Sequence, residues 1–232
     1  MKVSAVIAAG GEGKRMGRGK QFIELCGTPM VIATCKVFDR SDRVNEIVLV
    51  VPPSDIRKAR ELSEKAGLKK ITEIVAGGRS RQASVESGLA HVSEDSDIIL
   101  IHDGARPLVT VELIGNLVDE LKFCDAVIAG VPVIDTIKRV SGEQMISETL
   151  ERGDLWSAQT PQGFKAALIR EAHLRAIKIG YEATDDSKLV ERTGHKVKVI
   201  MGSYENFKIT SPCDLAAAEG ILSKRVQKGD IR

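Results

Sequence analysis

Short aliphatic runs alternate with longer stretches of mixed polarity along this chain, and that rhythm predicts strands alternating with helices. Val3 to Ile7 is an apolar run fit for a buried parallel strand, and it breaks abruptly into glycines and spaced cations. Thr28-Pro29 offers an N-cap and a proline at the first helical position, predicting a helix to about Phe38. Glu46 to Val51 is nearly continuous in aliphatic residues, as a strand covered on both faces should be. Ser54 would cap the next helix and Gly67 would end it. Ile71 to Ala76 predicts a third strand, followed by Gly77-Gly78 and a helix from about Arg79 to His91. Asp97 to His102 predicts a fourth strand, running out into Asp103-Gly104-Ala105-Arg106-Pro107. Leu113, Leu117 and Leu121 mark the following helix, and Ala126 to Val131 the next strand.

Repeats of this kind form a parallel sheet with helices on both faces, an α/β fold. Ligands of such sheets bind beyond the carboxyl ends of the strands, where loops 10–20, 77–84 and 103–106 all fall. The rhythm breaks from Pro132 to about Thr160. Val133 to Val140 and Ile146 to Leu150 look strand-like around the turn Ser141-Gly142-Glu143, and predict a β-arm over 133–160 that leaves the sheet. On pattern alone the arm serves equally as a grip on a second subunit or as an active-site flap. Lys165 to Ile179 then predicts a helix, and Asp185 to Arg192 another, capped by Thr184 and ended by Gly194. Lys196 to Met201 and Phe207 to Ile209 read as strands, and Ser211-Pro212 opens the last helix, with 229–232 expected to fray. No repeat or low-complexity segment divides the chain, so residues 1–232 read as one domain with the arm as its appendage.

Composition removes several classes of function. Of 232 residues, 43% are hydrophobic and only 3% aromatic, enough for a full core filled by small and aliphatic side chains. The net charge of +2 gives no global field that would demand nucleic acid or a membrane. Cys26, Cys35, Cys124 and Cys213 are scattered, without a C-x-x-C pair, and read as thiols in a reducing compartment. With no signal-like segment and no apolar run of spanning length, a soluble cytoplasmic protein is expected.

Chemistry concentrates in AAGGEGKRMGRGKQ, residues 8–21. Gly10, Gly11 and Gly13 let backbone amides turn toward anionic oxygens, while Lys14, Arg15, Arg18 and Lys20 add positive charge. The loop is not a P-loop, because Gly13-Lys14 is followed by Arg15. Nor is it a dinucleotide fingerprint, because its glycines are one residue too widely spaced and no acidic residue closes the second strand. Arg15 and Lys20 are candidates to neutralise a triphosphate and the charge that builds on a transferring phosphorus.

Gly77 to Ser84 is a second glycine loop opening a helix, suited to an anion or the polar edge of a base, or simply to a tight turn. Asp103 could hold a divalent cation or a substrate hydroxyl and Arg106 a phosphate, unless the two merely stitch a turn. His102 reads as a strand-end residue rather than a base. Asp185 and Asp186 could hold metal, yet acids in a first helical turn need no function, so Asp186 reads as an ordinary one and Thr184 as a substrate contact. Lys208 alternates with Phe207 and Ile209 as the outward face of a strand would. Thr136, Lys138 and Arg152 fall on the arm. No arrangement suggests a covalent nucleophile.

Together these residues resemble the 2-C-methyl-D-erythritol 4-phosphate cytidylyltransferase family. The likeness is carried by AAGGEGKRMGRGKQF (8–22), GGRSRQASV (77–85), HDGARP (102–107), PVIDTIK (132–138), LWSAQTPQ (155–162), EATDD (182–186) and NFKIT (206–210), in that order. It implies a Rossmann-like nucleotidyltransferase fold and transfer of CMP from Mg-CTP to methylerythritol phosphate. It implies phosphate-binding, catalytic roles for Arg15, Lys20 and Lys208. Cytosine and ribose would be read by Ala8, Ala9, Gly10, Gly11, Gly13, Gly78 and Ser84. Asp103, at the nucleotide or its Mg²⁺, Arg106 and Thr184 would meet the acceptor. Thr136 and Arg152 would complete the pocket of a neighbouring subunit, making a homodimer through the arm. Gly19 stands where a proline often precedes the family's lysine, and Arg79 where an acid is frequent. Ribitol 5-phosphate cytidylyltransferases share the fold and loop, and a non-catalytic CTP-binding sensor would keep the loops while losing the cations.

Overall fold

The computed structural model describes residues 1–11 and 19–227. Its centre is a seven-stranded sheet, and the period-two alternation of its strands decides which helix covers which face.

The first strand, β1 (Val3–Ala8), pairs in parallel with β4 (Glu46–Val51) and β6 (Ile98–Asp103). Between β1 and β4, β2 (Glu24–Leu25) and β3 (Thr28–Pro29) make a small hairpin turned by Cys26 and Gly27, both at positive φ. That pairing takes Thr28 and Pro29 out of the expected helix, so α1 runs Met30–Arg40 with Pro29 before its first turn. Residues 53–55 form a single 3₁₀ turn, and α2 (Ile56–Lys65) follows without the expected Ser54 cap. Next come β5 (Ile71–Ala76), α3 (Arg81–Leu89), α4 (Val111–Glu120) after β6, and β7 (Ala126–Pro132). Ser80 caps α3 by accepting from the Ala83 amide, which starts that helix two residues later than expected.

Within the 133–160 segment, β8 (Lys138–Val140) and β9 (Ile146–Thr149) pair only with each other, exposed throughout. The segment does not stay off the sheet to its end. β10 (Trp156–Lys165) returns to it, antiparallel to both β6 and β7. Pro161 hid this strand, because a proline argues against a central strand unless it sits at an irregularity. Here it does: the register with β7 shifts between Ala158 and Gln162.

The chain then gives α5 (Ala166–Ile179), α6 (Asp186–Glu191), β11 (Lys198–Met201) and α7 (Pro212–Gln227). The helix expected from Lys165 begins one residue later, since Lys165 ends β10. Asp185, not Thr184, caps α6, its carboxylate accepting from the Lys188 amide. Phe207–Ile209 is no strand, although the Ile209 amide donates to the Ala105 carbonyl. Strand order is β11-β7-β10-β6-β1-β4-β5, parallel except for β10.

Val3, Ala5 and Ile7 of β1 face one way with Ile47, Leu49, Ile98 and Leu100, against α1, α2 and α4. Val6 faces the other way with Val48, Val50, Ile99 and Ile101, against α3, α5 and α6. Burial on both faces explains why these strands read as continuous aliphatic runs. A third cluster seats α7 on Leu25, Met30, Leu108 and Ile209, bringing the segment before α7 to the carboxyl edge of the sheet.

Candidate active site

Strand β1 continues outward to β4 on one side and neighbours β6 on the other, so the chain reverses its direction of travel across the sheet at β1. Such a switch point leaves a crevice at the carboxyl ends of the strands. A cavity of about 290 Å³ lies there, lined from β1 and its loop by Ala8, Ala9, Gly10 and Gly11, and from the end of β6 by Asp103, Gly104 and Ala105. Lys20, Gln21, Met30, Arg81, Ser84 and Lys208 complete the wall. The two glycine loops touch: a Cβ on Gly10 would lie 2.8 Å from Ser84 Oγ and 3.0 Å from Gly77 Cα. Only glycine permits that approach.

Asp103 is the electrostatic centre. Its Oδ1 takes Arg81 Nε at 3.0 Å, and its Oδ2 takes Lys208 Nζ at 3.0 Å and Arg106 Nε at 3.4 Å. Burial by itself would raise its pKa, but the charges of Arg81, Lys208 and Arg106 outweigh burial and hold the carboxyl well below the usual carboxylate range. Arg81 also gives Nη1 to Asp186 Oδ2 at 2.7 Å, and Asp186 Oδ1 lies 3.2 Å from His173 Nε2. Burial opposes the charge on Arg81 as well, yet Asp186 and Asp103 raise its pKa above that of a free guanidinium. Burial likewise disfavours ionised Asp186, and Arg81 with His173 overcomes it. Among the described residues three cations thus face two carboxylates, which leaves an excess of positive charge for an anionic ligand.

Beside this group, burial pushes the His102 imidazole down to about 4. It is neutral at working pH, and its ring contacts Phe38 rather than the cavity wall. No group of three or more His, Cys, Asp or Glu residues among those described could hold a metal ion. Both oxygens of Asp103 already serve cations, so the donor set does not fit a resident ion on that carboxylate.

Comparison with known proteins agrees with this geometry. The family model for 2-C-methyl-D-erythritol 4-phosphate cytidylyltransferase matches residues 3–224. The chain belongs to this family. Relatives bearing that name in Geobacillus thermodenitrificans and Halalkalibacterium halodurans are each 46% identical, covering 97% and 98% of this chain and 99% and 100% of their own. The crystal structure of 4-diphosphocytidyl-2C-methyl-D-erythritol synthase from Anaerococcus prevotii is similar with a TM-score of 0.85, 31% identity and 96% coverage of both chains. The cytidylyltransferase structure from Thermus thermophilus gives 0.78 and 32%, covering 96% of this chain and 100% of its own. Family members are nucleotidyltransferases, and the sheet described above is that fold.

Of the residues that the sequence nominates, Ala8, Ala9, Gly10, Gly11, Lys20, Ser84, Asp103 and Lys208 meet at one cavity. Arg106 joins them through Asp103. Gly13 and Arg15 lie outside the described residues. Gly78 stands behind the wall, its amide donating to Ser84 Oγ at 3.1 Å, while that hydroxyl donates to the Ser80 carbonyl at 2.9 Å. Ser84 is therefore partly committed to holding its loop. Lys208 is no outward strand residue, since it turns to Asp103. Asp103 and Arg106 do pair, and the pairing lies at the cavity edge, so the stitched turn and the candidate site are one feature.

Three nominees are elsewhere. Thr184 is exposed and does not line the cavity. Thr136 and Arg152 are exposed beside the β8–β9 hairpin, with Arg152 Nη1 donating to the Ile134 carbonyl at 2.7 Å. Sequence reasoning passed over Arg81 and took Asp186 for a first-turn acid. Nothing local distinguishes either from a solvated charge, and their partnership spans 105 residues of sequence.

Proposed function

We propose that this enzyme transfers CMP from CTP to 2-C-methyl-D-erythritol 4-phosphate, giving 4-diphosphocytidyl-2-C-methyl-D-erythritol and pyrophosphate. The observation that carries the reading is the Asp103 carboxylate ringed by Arg81, Arg106 and Lys208 beneath a glycine loop, in a chain of this family. Such a site offers backbone amides to a nucleotide and surplus positive charge to two phosphorylated substrates.

In this mechanism the cytidine end lies against Ala8 to Gly11 and the Gly78–Ser84 loop. Lys20 and Lys208, with Arg15, hold the triphosphate and stabilise the charge that spreads over the α-phosphorus in the transition state. A 4-phosphate oxygen of the acceptor attacks that phosphorus in line, its bond to phosphorus forming as the bond to the pyrophosphate oxygen breaks. The attacking oxygen is already anionic, so no proton has to be removed and the neutral His102 has no base to be. Positioning and electrostatics supply the acceleration. Mg²⁺ would arrive with the nucleotide and neutralise phosphate charge, while Asp103 orients Arg81, Arg106, Lys208 and acceptor hydroxyls.

Arg106 and Thr184 are assigned to the acceptor, with Thr136 and Arg152 supplied by a second copy. Apolar side chains exposed along the hairpin segment, including Ile134, Val140, Met145, Ile146 and Trp156, favour its burial in a homodimer. The substrates are small and polar, which fits a cytoplasmic enzyme, and among the described residues no helix is long and apolar enough to cross a membrane.

Pyrophosphate release is the test, with Mg²⁺, CTP and either methylerythritol 4-phosphate or ribitol 5-phosphate as acceptor. Release with the first alone is expected. Release with ribitol 5-phosphate alone would reassign the acceptor, and CTP binding without release from either would make the protein a sensor.

A further inference from the structure

Behind the cavity wall a closed ring of hydrogen bonds links four residues, and we propose that His102 within it is a positioning residue for the transfer reaction, setting where Asp103, Arg106 and Lys208 meet. The ring starts at His102 Nε2, 3.1 Å from the Arg106 carbonyl oxygen. A carbonyl can only accept, so Nε2 carries the proton and Nδ1 is left as an acceptor. Nδ1 lies 2.9 Å from Thr160 Oγ, which must therefore donate to it. The same oxygen accepts from the Asp103 amide at 3.0 Å, so its donor and acceptor capacities are both used in fixed directions. From the other side, Asn206 Nδ2 donates to the Thr160 carbonyl at 2.8 Å, and the Asn206 carbonyl accepts from Arg106 Nη1 at 2.8 Å. The path closes: His102, Thr160, Asn206, Arg106.

Each member anchors a different part of the fold. His102 and Asp103 end β6, Thr160 sits where β10 breaks register with β7, and Asn206 lies two residues before Lys208. These segments are far apart in sequence, and the ring joins them behind the cavity wall, where Arg106 reaches the cavity edge through Asp103. His102, Thr160 and Asn206 are 0%, 4% and 0% exposed, so their hydrogen bonds are shielded from water and an unmade one would be costly. The Phe38 ring, 5.0 Å away between centroids, packs against the imidazole and keeps its surroundings apolar. Burial then holds the ring neutral, with its pKa down at about 4, so the tautomer that the ring requires persists across working pH. A protonated imidazole would place two donors against the Thr160 hydroxyl and the Arg106 carbonyl, reversing one link of the circuit.

The proposal rests on the cytidylyltransferase reading above, and its test separates the two. Nitrogen-15 spectra of the histidines in the intact protein should show His102 as the Nε2–H tautomer, unchanged from pH 5.5 to 8.5. Kinetics of Thr160→Ser and Thr160→Val supply the second readout. The serine keeps the hydroxyl and should hold kcat/KM within about threefold, whereas the valine opens the ring and should lower it by about tenfold or more. The loss should fall on the acceptor KM and on kcat, with the KM for CTP moved less than about twofold, because the ring holds Arg106 and Asp103 rather than the glycine loop. His102→Asn, which can still accept from Thr160 but cannot reach the Arg106 carbonyl, should show the same split. A His102 that titrates near 6.5 or carries its proton on Nδ1 would overturn the proposal even if both variants failed to fold. So would valine and serine variants that behave alike. Wild-type protein that releases no pyrophosphate from either acceptor would instead overturn the function on which the role rests.

Discussion

Two buried carboxylates occupy opposite ends of the same sheet, and they are stabilised by different means. Glu46 begins β4 at the amino edge, 5% exposed, where Ser4 Oγ donates to it at 2.6 Å and the Ser93 amide at 2.9 Å. Burial works against its charge, but hydrogen bonds from Ser4 and Ser93 bring its pKa below the ordinary glutamate value. Among the described residues no cation forms an ion pair with it, and the charge of Lys2 adds less than those hydrogen bonds. Asp103 ends β6 at the carboxyl edge, 6% exposed, and is held by three cations instead. Neutral donors satisfy a carboxylate and leave nothing over. Cations satisfy it and leave a positive field, which is of use only where an anion is to bind. The carboxyl edge therefore has the field that the proposed chemistry needs, and the amino edge only closes the core.

The contrast can be broken by substitution, most strongly at the cations. Lys208→Ala should lower kcat by about a thousandfold, a size typical for loss of one preorganised charge at a transferring phosphoryl group. Its circular dichroism and melting should stay close to wild type, and a mild kinetic effect would place Lys208 outside the reaction. Asp103→Asn keeps the shape but removes the charge that gathers Arg81, Arg106 and Lys208. We expect kcat/KM for the acceptor to fall by about a hundredfold, read by steady-state pyrophosphate release.

Acid titration of stability sharpens the comparison further. In the folded protein His102 binds no proton until about pH 4, whereas an unfolded histidine binds one near pH 6.5. Stability is thus complete above about pH 6.5 and falls as the pH drops toward 4, by about 3 kcal/mol from this group. Asp103, depressed in the folded state, adds its own loss only below about pH 4, as the pH falls from the unfolded carboxylate value. Urea melts at pH 7 and pH 4.5, for wild type and His102→Asn, check this. An equal pH dependence in the two proteins would refute it.

The smallest effect belongs to the amino edge. Glu46→Gln should cost about 1–3 kcal/mol of unfolding free energy, because the carboxamide nitrogen that replaces Oε2 cannot accept from Ser93 Oγ as the carboxylate oxygen does. Its turnover should stay within about twofold of wild type. A large kinetic defect there would mean that the two ends are coupled and that the division drawn between them is wrong.

Much of the fold was readable from neighbours in the chain. Aliphatic runs marked β1, β4, β6 and β7, and glycine loops at their ends placed the crevice where the cavity lies. Seven motifs in order identified the family, since each preserves local chemistry that a linear reading can match. β10 was missed because Pro161 and Gly163 resemble breakers, and only pairing with β6 and β7 on either side makes a strand of them. Thr184 suits a cap by residue type alone. Backbone geometry gave the role to Asp185, whose carboxylate reaches the Lys188 amide.

The sequence by itself determined the strand–helix order, the edge of the sheet at which the cavity opens, and several of the cations beside it. It did so because periodicity and turn chemistry are local, written within a few residues. Only the tertiary structure decided that Arg81 bridges Asp103 and Asp186, that Lys208 turns to Asp103, and that His102 is a neutral donor–acceptor in a ring. Those pairings join positions up to 105 residues apart, and strand order together with the packing of α3, α6 and the segment before α7 brings them within hydrogen-bond distance.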